Sequence, residues 1–364
     1  MATTSMQQGS VPSPELVVRN LAATKLKRLA AQAYLPLGIG AVILIGSLLS
    51  PYFFTWANFQ NIVVTGAVVS VLAVGQFMVV VTAGIDLSVG KVAALSTVVA
   101  AVSLRSGIPW PVSVLATLGV GMFAGVVNGL VVVFGRITPF IATLGMLSIA
   151  QGISFQWQGG TYIEITRPGF ISFFNGKVFG IPSPVIIFVG VMLFFAAVMR
   201  WTTFGRQQYA IGGNAEAARL SGLPVKRNVV AAYSISGLLA ALAGLLLAAQ
   251  LGQGNSLVAN GYELDAIAAA VVGGASLFGG VGNPVAAVLG GLLIGTISNV
   301  MDLRGVQAQP QLIIKGLLIL TAVFMTSGAG ADIRSKLQRR VTARWRAAPE
   351  RLEDSSEEGA RTTR

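Results

Sequence analysis

Apolar residues run through the chain in long blocks, with polar residues collected between them. The blocks lie at 35–49, 60–82, 89–104, 110–134, 139–157, 183–200, 229–251, 264–278, 284–300 and 311–327. Most approach the 20 or so residues that a helix needs to cross a bilayer, so the pattern predicts an all-α integral membrane protein with about ten transmembrane helices. The first block follows a long polar leader and ends in Ser50-Pro51 without a small-x-small site. It reads as a span and not as a secretory signal. The pattern divides the chain into a polar leader (1–33), a transmembrane domain (34–328) with a polar loop at 202–227, and a basic tail (329–364).

Charge placement orients the spans. With the leader inside, Arg105, Arg167, Lys177 and Arg304 fall outside and Lys315 falls within the last span; the rest of the 25 Lys and Arg, Lys91 among them, fall on the cytoplasmic side. That asymmetry follows the positive-inside rule. An even number of spans puts both tails in the cytoplasm of a multi-pass membrane protein.

Composition removes other classes. Of 364 residues, 54% are hydrophobic and 10% are charged, against about 25% charged in a soluble domain. There is no Cys and no His. Disulfides, zinc sites and Ser-His or Cys-His dyads are therefore ruled out, and no metal site is expected. The net charge of +12 belongs to membrane orientation, not to nucleic acid. Gly90-Lys91-Val92 and Gly119-x-Gly121-x-x-Ala124 imitate nucleotide motifs, but they lack the magnesium-binding hydroxyl and the preceding strand respectively. No ATP site is expected on the chain, and no enzymatic activity.

The two halves resemble each other. Gly84-Ile85-Asp86-Leu87-Ser88 lines up with Gly261-Tyr262-Glu263-Leu264-Asp265, Gly121/Gly125 with Gly291/Gly295, and Pro139–Gly145 with Pro310–Gly316. Spans 2–5 then repeat as spans 7–10. Corresponding spans are an odd number apart, so the copies are inverted, as in many transporters. The glycine pairs predict close helix contacts within the bundle. Asp86 and Ser88 fall at the cytoplasmic mouth of span 3, and Glu263 and Asp265 at the external mouth of span 8. Both sets read as helix caps or as paired gate elements.

Within the 202–227 loop, Gly212-Gly213-Asn214-Ala215-Glu216-Ala217-Ala218-Arg219-Leu220-Ser221-Gly222 spells a short helix. Asn214 is a good N-cap, Glu216 and Arg219 match the dipole, Gly222 suits the C′ position and Pro224 blocks continuation. A helix so short needs something to dock on, either its own bundle or a partner.

Four motifs carry a family resemblance: Ala83-Gly84-Ile85-Asp86-Leu87-Ser88-Val89-Gly90; Ala210-Ile211-Gly212-Gly213-Asn214 continuing to Gly222; Glu263-Leu264-Asp265-Ala266-Ile267-Ala268-Ala269; and Gly273-Gly274-Ala275-Ser276-Leu277. They resemble the permease subunits of bacterial ABC importers for monosaccharides, the ribose, xylose, arabinose and galactose class, over about residues 35–328. The resemblance implies the architecture of the vitamin B12 importer class. It also implies a second permease copy or homologue, two cytoplasmic ATPase subunits that hold the MgATP, and a periplasmic or lipid-anchored sugar-binding protein. Gly212 to Gly222 would be the helix that couples the permease to the ATPase.

A neutral cargo fits spans without a ring of like charge. Gln76, Asn128, Gln151 and Asn299 are the polar candidates for the pathway, each also able to serve as an interhelical hydrogen bond. Lys315 is expected to pair or snorkel, and the basic tail to lie on anionic lipid. Related permeases carry nucleosides, branched-chain amino acids or a furanose signal molecule, so those cargoes remain open. A stand-alone ion-coupled transporter would need a carboxylate at mid-membrane, and the sequence shows none there.

Overall fold

The computed structural model of the protein describes residues 35–326. The leader and the basic tail lie outside the described residues. Helix α1 covers Leu35–Leu49. It is followed by α2 (Trp56–Val80), α3 (Val89–Arg105), α4 (Trp110–Val133) and α5 (Pro139–Gln158). Next come α6 (Pro168–Asn175), α7 (Ser183–Trp201), α8 (Thr203–Gly213) and α9 (Ala215–Leu220). The last are α10 (Val225–Leu251), α11 (Tyr262–Val272), α12 (Pro284–Leu303) and α13 (Ala308–Thr326).

Each apolar block holds a helix. Of the described helices α2, α4, α7, α10 and α12 are long and apolar enough to cross a membrane. The block at 264–278 is a correction. Its helix, α11, has only 11 residues, about 17 Å of rise against a hydrocarbon core of about 30 Å. Gly273 and Gly274 end it. Gly274 takes φ +89°, and a Cβ on Gly273 would lie 2.5 Å from the Ala286 carbonyl oxygen of α12.

The all-α expectation also missed four two-residue strands. β1 (Ile163–Glu164) pairs antiparallel with β4 (Gln253–Gly254), and β2 (Lys177–Val178) with β3 (Ile181–Pro182). β1 and β4 lie where α5 and α10 have ended, and β2 and β3 lie between α6 and α7, where the backbone needs other partners. We call this the strand end of the bundle. At the opposite end, the α9 end, α8 lies beside the loop between α2 and α3 and the loop between α11 and α12, and α9 follows it.

Helices α2 and α10 form the centre. The most apolar stretch of α2 is 78% buried and that of α10 67%, against 28% for α7. Helix α10 packs on α4, α12 packs on α2, and α2 and α10 pack on each other. Helix α3 lies on α10, α4 and α5, while α11 lies on α2, α12 and α13. If α2–α5 are matched in order with α10–α13, each of these packings has its counterpart in the other half.

The glycine pairs seen in the sequence sit at the two flanking contacts. On α4, a Cβ added to Gly121 would lie 2.5 Å from the Gly237 carbonyl oxygen of α10, and one on Gly125 would strike the Tyr233 carbonyl. On α12, a Cβ on Gly291 would lie 2.7 Å from Ser70 Cα of α2, and one on Gly295 2.9 Å from Gly66 Cα. Without side chains at these points the backbones approach to dispersion contact. Ser70 Oγ adds a bond to the Val288 carbonyl at 3.1 Å.

Candidate functional site: two helix breaks and a docked α9

The break between α2 and α3 is built around Asp86. Val80 ends α2, and Ala83 turns the chain at φ +62°. Asp86 is 1% exposed. Its Oδ1 accepts from the Ser88 amide at 2.9 Å and the Ser88 hydroxyl at 2.6 Å, and its Oδ2 accepts from Ser236 Oγ of α10 at 2.8 Å. Asn128 Nδ2 of α4 donates to Ser88 Oγ at 2.9 Å. The Gln76 amide of α2 donates to the Asp86 carbonyl at 2.9 Å and accepts from its N–H at 3.3 Å. Tyr233 Oη of α10 donates to the Ile85 carbonyl at 3.3 Å.

This corrects two expectations. Asp86 does not sit at a mouth. It touches α10 at Ser236, roughly 17 Å along that helix from its first residue. Ser88 stands at the N-cap position of α3 but makes no side-chain cap bond, because its hydroxyl is committed to Asp86. Three helices hold the break through local Asx-type and interhelical bonds, and every polar atom of the carboxylate is satisfied, as burial requires.

The four pathway candidates lie at three separate places. Gln76 and Asn128 belong to the Asp86 node. Gln151 Nε2 donates to the Ser256 carbonyl at 3.3 Å. Asn299 Nδ2 donates to Asn58 Oδ1 at 2.8 Å across the α12–α2 contact.

The second break precedes α11. Residues 252–261 run back along α3. Asn255 N–H donates to Thr97 Oγ1 at 3.0 Å, and a Cβ on Gly90 would lie 3.0 Å from the Ala259 carbonyl oxygen. Lys91 Nζ donates to Asn260 Oδ1. The first turns of α3 and α11 therefore meet inside the bundle. Lys91, which the charge pattern put at the cytoplasmic side, is half-buried and turned onto the 252–261 segment. The aligned motifs are also not equivalent in place: Asp86 precedes the first residue of its helix, whereas Glu263 and Asp265 lie in the first turn of theirs. Asp265 accepts from Lys315 Nζ of α13 at 2.7 Å. Glu263 Oε2 and Asp265 Oδ1 have no hydrogen-bond partner among the described residues.

The 202–227 loop holds two helices where the sequence suggested one. Asn214 adopts φ −162° and ψ 102° and separates α8 from α9, so Gly212 and Gly213 close α8. Gly212 is buried, its Cα against the Val81 carbonyl and the Gly280 amide. Gly213 faces open space. Tyr209 Oη of α8 donates to the Gly282 carbonyl at 2.9 Å, and burial raises its phenol above the ordinary value. Helix α8 is thereby fastened to both loops at the α9 end.

Helix α9 has the expected ends. Asn214 Oδ1 accepts from the Ala217 amide at 2.9 Å. Gly222 takes φ +81°, and the Leu223 amide closes back on the Ala218 carbonyl at 3.0 Å. Ala218 is buried; Glu216, Leu220 and Ser221 are exposed. Arg219 forks onto Glu216 with bonds of 2.9 and 2.6 Å. That guanidinium holds the Glu216 carboxyl below its usual range. The unit is a small charged platform clamped to the bundle by one face.

Missed by the sequence reading were Ser236, Tyr233 and Asn260. A Ser within the apolar helix α10 was the only local sign of the first. The other two announce nothing by themselves.

Residues 58–323 match the family described as branched-chain amino acid transport system / permease component. The ribose import permease protein RbsC of Bacillus subtilis (strain 168) is 40% identical over 291 residues, 79% of this chain and 90% of the relative. The D-allose transport system permease protein AlsC of Escherichia coli (strain K12) is 38% identical over 283 residues, 78% of this chain and 87% of the relative. The galactose/methyl galactoside import permease protein MglC of Haemophilus influenzae is 36% identical over 308 residues, 79% of this chain and 91% of the relative. No solved structure gives a significant match.

Proposed function

The chain belongs to the family of branched-chain amino acid transport system permease components, and from that premise we propose that it is the membrane subunit of an ATP-driven importer carrying a monosaccharide. It is a permease subunit without a cofactor of its own; ATP is hydrolysed on a partner. The sugar assignment is supported by the relatives named for ribose, allose and galactose import. The observation that carries the coupling role is the placement of α9. An exposed Glu216–Arg219 platform directly follows Gly212 and Gly213 of α8, which abut Val81 and Gly280 in the loops that end α2 and α11, so force on α9 has a short route through α8 to both broken helices. Residues 214–222 would meet the ATPase, with Gly212 acting inward as the pivot against Val81.

The matched packing of α2–α5 and α10–α13 supports two inverted repeats and a ten-span topology of the vitamin B12 importer kind. The 252–261 segment and α11 would together make one crossing, and the discontinuous α3 and α11 fit the broken helices of such transporters. Both tails would be cytoplasmic. Exposed apolar side chains on α5 and α13, such as Phe140 and Leu320, suit lipid or a second permease copy. A thiol introduced by Ser172→Cys, at the strand end, should react with an impermeant reagent in intact cells. Thiols from Ser221→Cys, Ser10→Cys and Thr362→Cys should not. Labelling of either tail would overturn the ten-span reading.

The functional test is reconstitution of the chain with its ATPase and a sugar-binding protein in proteoliposomes. Uptake of ribose, allose or galactose that requires both ATP and the binding protein is expected. Uptake of leucine instead would move the cargo to the branched-chain amino acids of the family description. ATP-independent uptake would favour an ion-coupled machine instead.

A further inference from the structure

A cavity of about 300 Å³ lies between α2, α11, α12 and α13. Its lining is exposed at Asp302 and Gln309 and buried at Asp265 and Lys315. Helix α12 starts beside the loop that receives Tyr209 and ends at Leu303, so Asp302 lies at the strand end. The cavity therefore opens toward the strand end and closes on the ion pair.

Several polar groups inside are uncommitted. The hydroxyls of Thr65, Tyr262 and Ser298 line the cavity, and among the described residues none of them hydrogen-bonds to protein. Asp265 is 2% exposed, and its Oδ1 has no partner among the described residues. Lys315 has three ammonium donors, of which one is used on Asp265. A buried carboxylate oxygen and spare ammonium donors left without partners cost free energy. The ligand that answers them is neutral, since the two charges at the floor already cancel. It is rich in hydroxyls, since each lining group needs a donor, an acceptor or both. It is also small, because 300 Å³ stands at the lower limit for small-molecule sites.

We propose that this cavity binds one monosaccharide, with Asp265 accepting from one ring hydroxyl and Lys315 donating to its neighbour, while the Thr65 and Ser298 hydroxyls take others. The proposal rests on the sugar-importer reading and adds to it a site within a single permease chain. A zwitterionic amino acid with a branched apolar side chain fits the lining poorly, because Thr65, Ser298 and Gln309 would face that side chain.

The chain has no Cys, which provides a direct test on the purified full-length permease. Ser298→Cys places one thiol in the cavity, and Thr65→Cys supplies a second variant should the first fold poorly. A small hydrophilic methanethiosulfonate reagent should modify either thiol. D-ribose should slow the modification saturably, by about tenfold at about ten times its dissociation constant. Sucrose at equal concentration should not, being too large to enter. Adding Asp265→Asn together with Lys315→Gln, which leaves no buried charge unpaired, should weaken the protection at least several-fold, with folding checked by thermal unfolding. Three outcomes overturn the site: rates unchanged by ribose, allose and galactose; equal slowing by sucrose; or protection by leucine in place of sugar. Reconstituted uptake separates the two levels. Sugar transport with an unprotected thiol removes this cavity alone, and absence of sugar transport removes the reading beneath it as well.

Discussion

Lys315 Nζ reaches Asp265 Oδ2 at 2.7 Å from α13 to α11, and the carboxylate is 2% exposed. It is the one buried ion pair among the described residues; the other, Glu216–Arg219, stands in the open. The Asp265–Lys315 pair ties the last described helix to the shortened α11, where small Ala side chains supply little surface for packing.

Removing one member strands the other. Lys315→Met should lower stability by about 3–5 kcal/mol, the cost of an uncompensated buried charge. Asp265→Asn combined with Lys315→Gln should recover most of that loss. Thermal unfolding of the purified permease, run as a double-mutant cycle, measures the coupling. Additive single losses would mean that the two residues act independently.

Asp86 is held as a hydrogen-bonded node, so the shape of its side chain should count for more than its charge. Asp86→Asn keeps an acceptor for the Ser88 amide and can donate to Ser236, so near-normal membrane levels and uptake are expected. Asp86→Ala strands the Ser88 and Ser236 groups, at about 1–3 kcal/mol each, and should cut membrane abundance. A well-folded Asp86→Asn that fails to transport would assign the charge a gating role.

Neighbouring glycines of α4 should differ sharply. A methyl on Gly125 strikes the Tyr233 carbonyl, whereas one on Gly119 meets nothing within 4 Å. Gly125→Ala should cost about 1–3 kcal/mol through overpacking of the α4–α10 contact. Gly119→Ala should be neutral, or stabilising by up to about 1 kcal/mol. Melting temperatures in detergent decide the matter, and equal effects would contradict the close approach of α4 to α10.

Ala218→Pro should uncouple the permease without unfolding it. Proline costs about 3 kcal/mol in a helix interior, more than a six-residue helix can supply, while the bundle is built elsewhere. Normal membrane levels, lost uptake and ATP hydrolysis that ignores the loaded binding protein are expected. Glu216→Ala with Arg219→Ala should be milder, since an exposed pair contributes about 0.3–0.5 kcal/mol, unless those side chains touch the ATPase. Gly212→Ala should impair uptake more than Gly213→Ala, because only Gly212 abuts Val81. Full stimulated hydrolysis and uptake by Ala218→Pro would remove α9 from the coupling path.

Features written within a few residues of each other were legible in the sequence. The ten apolar blocks each hold a helix because burial of apolar residues and helical hydrogen bonding are local requirements of a bilayer. The ends of α9 were readable because an Asn cap and a left-handed Gly act on backbone groups at most four residues away. The glycine pairs at 121/125 and 291/295 marked close contacts because only a missing side chain permits them.

Partnership across the chain was not legible. Ser236 lies 150 residues from Asp86 and Lys315 lies 50 from Asp265, and no spacing rule joins them. The sequence placed Asp86 and Lys91 at a mouth because charged groups are expensive in lipid. The tertiary structure buries Asp86, because polar atoms from α2, α4 and α10 converge there and supply the bonds that lipid lacks, and it turns the half-buried Lys91 onto Asn260 of the 252–261 segment. The early end of α11 has the same origin: the close contact of Gly273 with α12, made by distant helices packing together, stops a helix that its apolar block alone would have carried on.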